Sequence, residues 1–244
     1  MVPWLWLVAT LTALMPGCAR YYPGPTTPLP ETQQAAGTTV LDDGTVRYVR
    51  DRLEISLRPR SDAEMNRSLA PYSGAGVRST NPYTFGNWSP PGEDVTPQRF
   101  TIFLVQVKNY QYPKVRVDPA LAVLRSRSGR EYRSLTFLEL DEYYRAQALA
   151  WAGREYVRYT ERRDLLRRTL FTDDMVFSGQ DQEGYLVFPV LPPDVTDLTV
   201  TLPDVALRFN YADEPTETAD LTFAFGRQVL RGYRAPREAT VHAP

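Results

Sequence analysis

The chain has 244 residues but a single cysteine, Cys18, close to its N-terminus. The rest of the chain can therefore form no internal disulfide bond, even in a compartment that would permit one. Hydrophobic residues make up 43% and charged residues 23% of the sequence, which is ordinary for a globular protein with a packed core. Side-chain packing therefore has to supply the stability of the folded part.

Histidine is almost absent as well, since His242 near the C-terminus is the only one. A Ser-His-Asp or Cys-His site needs an imidazole that a third group holds in place, and a terminal histidine lacks that support. The sequence contains no HExxH or CxxC pattern and no glycine-rich phosphate loop. We therefore predict no catalytic residue, no metal site and no cofactor, and we predict that the protein is not an enzyme.

An excess of charge of either sign is also missing. The 28 basic and 29 acidic residues leave a formal net charge of −1 at pH 7. Proteins that bind nucleic acids hold the phosphates with a surplus of Lys and Arg side chains. The composition therefore predicts that nucleic acid is not a partner.

The uncharged segment 4–15 is too short for a membrane-spanning helix, which needs about 20 apolar residues. It is typical of the apolar core of a secretory signal, so residues 1–17 are predicted to be a signal peptide. Pro16, Gly17 and Cys18 follow directly. This arrangement resembles the lipobox of bacterial lipoproteins, which implies that the thiol of Cys18 is acylated and becomes the new N-terminus. A plain signal peptide with an incidental cysteine is the alternative.

The lipobox differs from the usual pattern in two places. Bacterial lipoproteins usually carry Leu three residues before the cysteine, where this chain has Met15, and their leaders usually begin with a basic residue, which is absent before Trp4. A start codon further upstream would explain the missing basic residue. The resemblance implies an extracytoplasmic protein that an N-terminal lipid such as palmitate anchors in the membrane. Ala19 after the cysteine resembles outer-membrane sorting in a host with two membranes.

The segment 18–37 is rich in proline and has no apolar periodicity. Such a composition predicts an extended, flexible tether between the lipid and the folded domain. From Thr38 onward the sequence becomes β-prone, with a hairpin turn predicted at residues 42–44. Leu53, Ile55 and Leu57 then alternate with polar residues, which predicts a half-buried strand.

The segment 60–98 is rich in Pro, Gly, Ser and Asn, and we predict a long loop there. Residues 99–109 are the strongest predicted strand, and its few polar residues indicate that both faces are covered. A second hairpin is predicted around Gly129, where a positive φ angle is expected. Its two strands, 120–125 and 131–137, precede a change of pattern.

Residues 138–169 contain no proline, and apolar residues recur there at three- and four-residue spacing. We predict two helices, or one helix that is broken at Ala152 and Gly153, inserted between about 138 and 170. Short β-prone segments return afterwards, and turns are predicted at 192–194 and 203–204. Residues 232–244 are predicted to be a disordered tail.

Short strands that Pro and Gly turns separate indicate a β-sandwich. From residue 99 onward, the strand FTIFLVQVKN and the later pair EGYLVFPVLPPDVTDLTVTLPD resemble the immunoglobulin-like modules of uncharacterised bacterial surface lipoproteins. The resemblance implies a mainly β fold, an immunoglobulin-like β-sandwich with an inserted helical segment, over residues 38–231. The Cys and Trp pattern of antibody domains is absent.

Three carboxylates, Glu139, Asp141 and Glu142, cluster at the start of the predicted insert. A glycosidase-type pair would need two carboxylates that face each other across a cleft. The alternative is an acidic first turn, which the helix dipole favours. Since neighbours on one helix lie side by side, the second interpretation explains the cluster without catalysis.

The insert also carries a basic face with tyrosines, which we predict to be the binding surface. Its candidate residues are Arg158, Arg162, Arg163, Tyr156 and Tyr159. A solvated helix face with local ion pairs is the alternative for the arginines, and packing of the insert onto the sandwich is the alternative for the tyrosines. The aromatic loop 72–88 is a further candidate for ligand binding.

Together these features predict a non-enzymatic cell-envelope lipoprotein that acts as an interaction or structural module. Its expected partners are the membrane, through the N-terminal lipid on Cys18, and an envelope protein or glycan. A carboxylate-dependent hydrolase or a carbohydrate-binding protein of the envelope is the alternative.

Overall fold

The computed structural model describes residues 20–93, 95–151 and 153–232. The predicted signal peptide, Cys18 and residues 233–244 of the predicted tail lie outside the described residues. Within them, no helix is both long and apolar enough to cross a membrane.

The described chain contains more strand than helix, and its paired strands are antiparallel. The strands are β1 (Arg20–Pro28), β2 (Thr38–Val40), β3 (Val46–Arg50), β4 (Leu53–Arg60), β5 (Phe100–Asn109), β6 (Lys114–Val115), β7 (Val123–Ser126), β8 (Glu131–Arg133), β9 (Val176–Phe177), β10 (Gln180–Pro189), β11 (Asp197–Phe209) and β12 (Pro215–Gly232). The helices are α1 (Asp62–Ser68), α2 (Ala70–Ser73), α3 (Phe137–Trp151) and α4 (Glu155–Thr169).

The strands form two five-stranded sheets. Sheet A has the order β1-β12-β11-β7-β8, sheet B has the order β10-β5-β4-β3-β2, and β6 pairs with β9 separately. One hydrophobic core lies between the sheets, where Phe103 of sheet B and Phe225 of sheet A have ring centroids 5.0 Å apart. The mainly β class, the immunoglobulin-like sandwich and the helical insert are therefore confirmed.

Local sequence signals explain much of sheet B. Leu53, Ile55 and Leu57 are completely buried between the sheets, as their alternation with polar residues predicts. Gly44 has a φ of 83° in the β2–β3 hairpin, where a non-glycine residue would be strained. Strand β5 is covered on both faces, since Phe103 lies in the main core and Ile102 packs under the helices.

The expected flexible tether is wrong from Arg20 onward. Strand β1 pairs with β12 from Arg20↔Gly232 to Pro28↔Phe225, so this segment is an edge strand of sheet A. Gln34 continues the attachment, because its side chain exchanges hydrogen bonds of 2.7 and 2.9 Å with the backbone of Ala224. Prolines are tolerated on a sheet edge, where no neighbouring strand needs their missing N–H. The domain therefore begins well before residue 38.

The expected long loop over residues 60–98 is also partly wrong. Helix α1 begins there with a capping box, in which the Ser61 side chain accepts from the backbone N–H of Glu64 and the Glu64 carboxylate accepts from that of Ser61. The sequence Ser-Asp-Ala-Glu has the pattern of such a box. Met65 anchors the helix in a second core between sheet B and the insert.

The two predicted helices are confirmed, and Gly153, with a φ of 67°, lies between them. Leu140, Tyr144 and Leu166 bury their side chains against Phe100 and the neighbouring part of sheet B. The expected turn at 203–204 is wrong, because these residues form a bulge inside β11, where Asp204 takes a φ of 52°. Such a bulge lets the strand continue to Phe209.

Candidate functional site

A cleft of about 580 Å³ opens at one end of the sandwich. Three separate parts of the chain line it: residues 51–52 in the β3–β4 turn, residues 111–114 after β5, and residues 207–209 at the end of β11. A concave site where side chains of several elements converge is the usual place for a ligand.

The β3–β4 turn stores backbone strain beside this cleft. Asp51 and Arg52 have φ angles of 48° and 65° between the paired residues Arg50 and Leu53. Two positive φ angles make a type I′ hairpin turn, which normally contains Asn-Gly or another glycine pair. Non-glycine residues in this region cost about 1–3 kcal/mol each, and such strain concentrates at functional sites. The turn therefore points to this end of the molecule as a place where side chains are required.

Asn109 holds the second wall of the cleft in place. Its completely buried amide donates to the carbonyls of Tyr112, at 2.8 Å, and Val176, at 2.9 Å, and it accepts from the backbone N–H of Tyr112 at 2.9 Å. The Tyr112 hydroxyl in turn donates to Asp51 Oδ2 at 3.0 Å. Burial raises the pKa of Tyr112, and the hydrogen bond to the Asp51 carboxylate adds to this effect. The phenol is thus a fixed donor that orients one carboxylate at the rim.

Ion pairs order most of the remaining charges of the cleft. Glu217 accepts a hydrogen bond from Arg50 Nη2 at 2.7 Å, which raises the pKa of Arg50. Its Oε2 forms an ion pair with Arg208 Nε at 2.9 Å. Lys114 pairs with Asp213, and its Nζ lies 4.8 Å from the centre of the Phe209 ring.

Arg52 is different from these cations, because its exposed side chain makes no ion pair or hydrogen bond with the part of the chain that the structure describes. Arg208 is also largely open to solvent, although one edge of its guanidinium contacts Glu217. The cleft therefore offers two exposed guanidinium groups, that of Arg52 and the outer edge of Arg208, next to the buried side chain of Leu207 and the ring of Phe209. Such a surface can bind a polar, anionic or carboxylate-bearing ligand through charge-assisted hydrogen bonds.

The cleft and the start of the described chain lie at opposite ends of sheet A. Strand β12 begins at Pro215, which pairs with Phe209 at the cleft, and ends at Gly232, which pairs with Arg20. At about 3.3 Å per residue, this strand of 18 residues spans roughly 55 Å. The N-terminal residue of the sheet is thus as far from the cleft as the sandwich allows.

The structure does not bring the predicted residues of the insert together as one exposed face. Arg162 is buried, donates from Nη2 to the carbonyl of Ser79 at 2.7 Å, and lies 5.2 Å from the centre of the Tyr144 ring. Burial lowers the pKa of Arg162. Tyr159 is buried as well, and its hydroxyl donates to Asp141 Oδ1 at 2.9 Å. Arg162 attaches the insert to the loop at Ser79, and Tyr159 links α4 to α3, so neither side chain is exposed on a binding surface as expected.

The other three predicted residues remain at or near the surface. Arg158 pairs with Glu155, and Arg163 Nε lies 3.3 Å from Asp141 Oδ1. Tyr156 is exposed, with its ring 5.6 Å from that of Tyr159. Local ion pairs therefore occupy both arginines, as the alternative interpretation of this face expects.

Two carboxylates at the start of α3 form local contacts, since Glu139 caps the helix and Asp141 contacts α4. The Glu139 carboxylate accepts hydrogen bonds from the backbone N–H of Thr136 at 2.7 Å and from the Thr136 hydroxyl at 2.8 Å. The Thr136 hydroxyl oxygen accepts from the backbone N–H of Glu139, which completes a capping box. Asp141 accepts from Tyr159 and faces Arg163. The acidic first turn is thus explained by helix capping. Among the described residues, no three His, Cys, Asp or Glu side chains are placed to hold a metal ion.

The aromatic loop 72–88 is largely packed against the domain. Tyr83 is completely buried, and its hydroxyl forms a hydrogen bond with Thr169 at the end of α4. Phe85 lies under the guanidinium of Arg99, at 4.0 Å from its ring centre. Arg99 also donates to the Tyr144 hydroxyl at 3.0 Å. These contacts explain the aromatic residues of the loop as packing.

Asp62 is a titratable group next to this packing. Burial raises its pKa to about 7, and the nearby charge of Arg99 opposes the shift. Asp62 therefore changes its charge near neutral pH, at the N-terminus of α1.

Sequence reasoning missed the cleft, because its residues come from parts of the chain up to about 160 positions apart. The one available signal is Asp51-Arg52, a pair without glycine between two strand-forming segments. A tight hairpin at this position requires φ angles that such residues avoid.

No protein-family model matches the chain, and no curated protein sequence matches it. Among solved structures, the yjhA protein of Bacillus subtilis aligns over 72% of this chain and 93% of its own, with 10% identity and a TM-score of 0.34. The secreted protein MPT63 of Mycobacterium tuberculosis aligns over 68% of this chain and 90% of its own, with 12% identity and a TM-score of 0.30. At TM-scores this low, neither similarity supports an argument about function.

Proposed function

We propose that this chain is a non-enzymatic binding module of the cell envelope, which a lipid on Cys18 anchors in the membrane and which presents its cleft away from that membrane. The observation that carries the proposal is the position of the cleft at the opposite end of β12 from the Arg20–Gly232 pair. An anchor at Cys18, two residues before Arg20, would hold the end of sheet A with the Arg20–Gly232 pair at the membrane surface.

The β1 pairing supports a fixed orientation. A flexible tether would let the domain tumble, whereas Arg20 already belongs to a strand that continues to Pro28. Only Ala19 would separate this strand from the acylated cysteine, a distance of at most about 7 Å between Cys18 and Arg20. The cleft would then point into the space beyond the membrane surface, where an envelope protein or glycan is accessible.

The chemistry of the cleft supports binding. Its exposed guanidinium groups, those of Arg52 and Arg208, suit a partner that carries carboxylate or phosphate groups. The strained Asp51-Arg52 turn keeps one of these cations at the rim, although a glycine there would relieve the strain.

The anchor is tested by replacing its thiol. The Cys18→Ser variant should either appear in a soluble extracytoplasmic fraction or accumulate as an uncleaved precursor. Wild-type protein should incorporate an alkyne-labelled palmitate, and the variant should not. A Cys18→Ser protein of mature mass that still partitions wholly into the membrane would overturn the lipid anchor.

The cleft is tested by charge reversal. Immobilised wild-type protein should retain acidic glycan or peptide from the envelope, and Arg52→Glu with Arg208→Glu should lose most of that retention. Arg127→Glu is the matched control, because Arg127 is an exposed arginine with one ion pair at the other end of sheet A. The loss should be larger at low salt, where charges are screened less. Equal retention by the cleft variant and the control would refute the cleft as the binding site.

A further inference from the structure

The connection between α3 and α4 exposes several large apolar side chains. Leu149 near the end of α3 is 74% exposed, and Tyr156 and Val157 at the start of α4 are 64% and 60% exposed. All three lie within about two helical turns of the connection. We call residues 145–151 and 153–158 the hairpin tip. Exposed apolar side chains that lie close together in the chain in this way can form a contact with another apolar phase.

The hairpin tip is also positively charged. It contains Arg145, Arg154 and Arg158 but one carboxylate, Glu155, which pairs with Arg158. Arg145 and Arg154 are exposed, and neither forms an ion pair within the described residues. Arginines beside exposed apolar side chains suit a membrane surface, because arginine holds its charge at the lipid phosphates while its stem stays in the apolar layer.

The path of α3 determines where this tip lies. Just before α3, the backbone N–H of Leu135 donates to the carbonyl of Val187 at 2.7 Å. Further along the helix, the Tyr143 ring lies 5.7 Å from that of Phe100, the first residue of β5. Helix α3 therefore runs toward the Phe100 end of sheet B, and the hairpin tip begins two residues after Tyr143.

The paired strands β1 and β12, which we call the β1–β12 ribbon, project from the same end of the sandwich. Arg227 of β12 donates to the carbonyls of Leu191, at 3.1 Å, and Val195, at 2.7 Å. Leu191 lies two residues after Pro189, the strand partner of Phe100. Beyond Arg227 the β1–β12 ribbon continues for about 17 Å to Gly232. The start of the hairpin tip and the end of β12 thus both lie toward the Phe100 end of the sandwich, and the cleft lies at the opposite end.

We propose that the hairpin tip is a membrane-contacting surface. Leu149, Tyr156 and Val157 enter the interfacial layer of the bilayer, and Arg145 and Arg154 bind the phosphates of its anionic lipids. The proposal rests on the lipid anchor at Cys18 proposed above, which would hold this end of the domain at the bilayer. The second contact stops the domain from rotating about its anchor, so the cleft keeps its outward orientation.

The test uses the full-length acylated protein, purified and reconstituted into vesicles of phosphatidylethanolamine and phosphatidylglycerol. A Val157→Cys variant is labelled with an environment-sensitive fluorophore, since acylation blocks Cys18. The control is Tyr211→Cys, labelled in the same way, because Tyr211 is 103% exposed in the β11–β12 connection at the cleft end. Lipids with nitroxides near the headgroups should remove roughly half of the Val157 fluorescence and leave the Tyr211 probe unchanged, as expected for shallow insertion.

A charge test completes the design. Arg145→Glu together with Arg154→Glu should reduce the quenching at Val157 on these vesicles, with an unchanged melting temperature. Protein that floats with the vesicles while its Val157 probe stays unquenched would overturn the membrane contact and leave the lipid anchor standing. Quenching of both probes would overturn the outward orientation. Protein that does not float with the vesicles would overturn the anchor and the contact together.

Discussion

Gly184 provides the sharpest test of how the helical insert is attached to the sandwich. A Cβ atom at this position of β10 would lie 2.5 Å from the backbone Cα and N of Phe171 and 2.8 Å from the carbonyl carbon of Leu170. Those two residues carry the chain from the end of α4 back onto the sheet, where the Phe171 N–H donates to the carbonyl of Tyr185 at 3.1 Å. Gly184→Ala therefore has to push a backbone away from the sheet, which a side-chain rotation cannot avoid.

Overpacking of this kind costs about 1–3 kcal/mol, and we expect Gly184→Ala to fall in the upper part of that range because the clash involves backbone. For a chain of this size, each kcal/mol lowers Tm by about 2–4 °C. Urea unfolding followed by far-UV circular dichroism measures the loss of unfolding free energy directly. The matched control is Gly74→Ala, since nothing lies within 4 Å of its added Cβ and its φ of −86° suits any residue. Equal urea midpoints for the two variants would refute the close approach of Phe171 to β10.

Three further predictions concern the packing of the insert, the titration of Asp62 and the N-terminal strand. Arg162→Ala leaves the Ser79 carbonyl without its donor and should lower the free energy of unfolding in urea by about 1–3 kcal/mol. The control is Arg168→Ala at an exposed position, which should change the free energy of unfolding by less than about 0.5 kcal/mol. Equal effects of the two substitutions would show that Arg162 is not buried. The folded-state pKa of Asp62 is about 7, above its ordinary value, so the folded state holds a proton that the unfolded state has released. Wild-type stability should therefore fall relative to Asp62→Asn as the pH rises from about 4 to 8, and a gap that does not change with pH would contradict the shift. A chain that begins at Thr38 lacks β1 and the Gln34 hydrogen bonds, so its Tm should drop by well over a few degrees, and an unchanged Tm would restore the flexible tether.

The elements that the sequence predicts correctly are those that local physics determines. The alternation of Leu53, Ile55 and Leu57 requires one buried face whatever the partner strand is. Gly44 and Gly153 mark a hairpin and a helix break, because positive φ angles are strained for other residues. The mainly β class, the hairpins and the two helices therefore follow from neighbours in the chain.

The wrong predictions concern pairings between distant residues. Strand β1 pairs with β12, about 200 positions away in the chain. Its prolines are typical of a linker, but a strand at the edge of a sheet tolerates them because no neighbouring strand needs their missing N–H. From the sequence, Arg162 is expected at the surface, because helical spacing does not reveal its contacts with the Ser79 carbonyl and the Tyr144 ring. In both cases the deciding contact is absent from the local sequence.

The candidate site depends on the tertiary structure in the same way. The sequence by itself determined the mainly β class, the alternating strands and the two helices, and it leaves the chain after Cys18 without a thiol and with a single histidine. The cleft exists because β3, β5 and β11 end at the same level of two packed sheets, which brings Arg52, Lys114 and Arg208 together. Strand pairing between residues far apart in the sequence determines where these strands end, and it also places Arg20 at the opposite end of sheet A. Local propensities cannot specify such pairings, since the energy that selects them comes from the shared core that the completed sandwich buries.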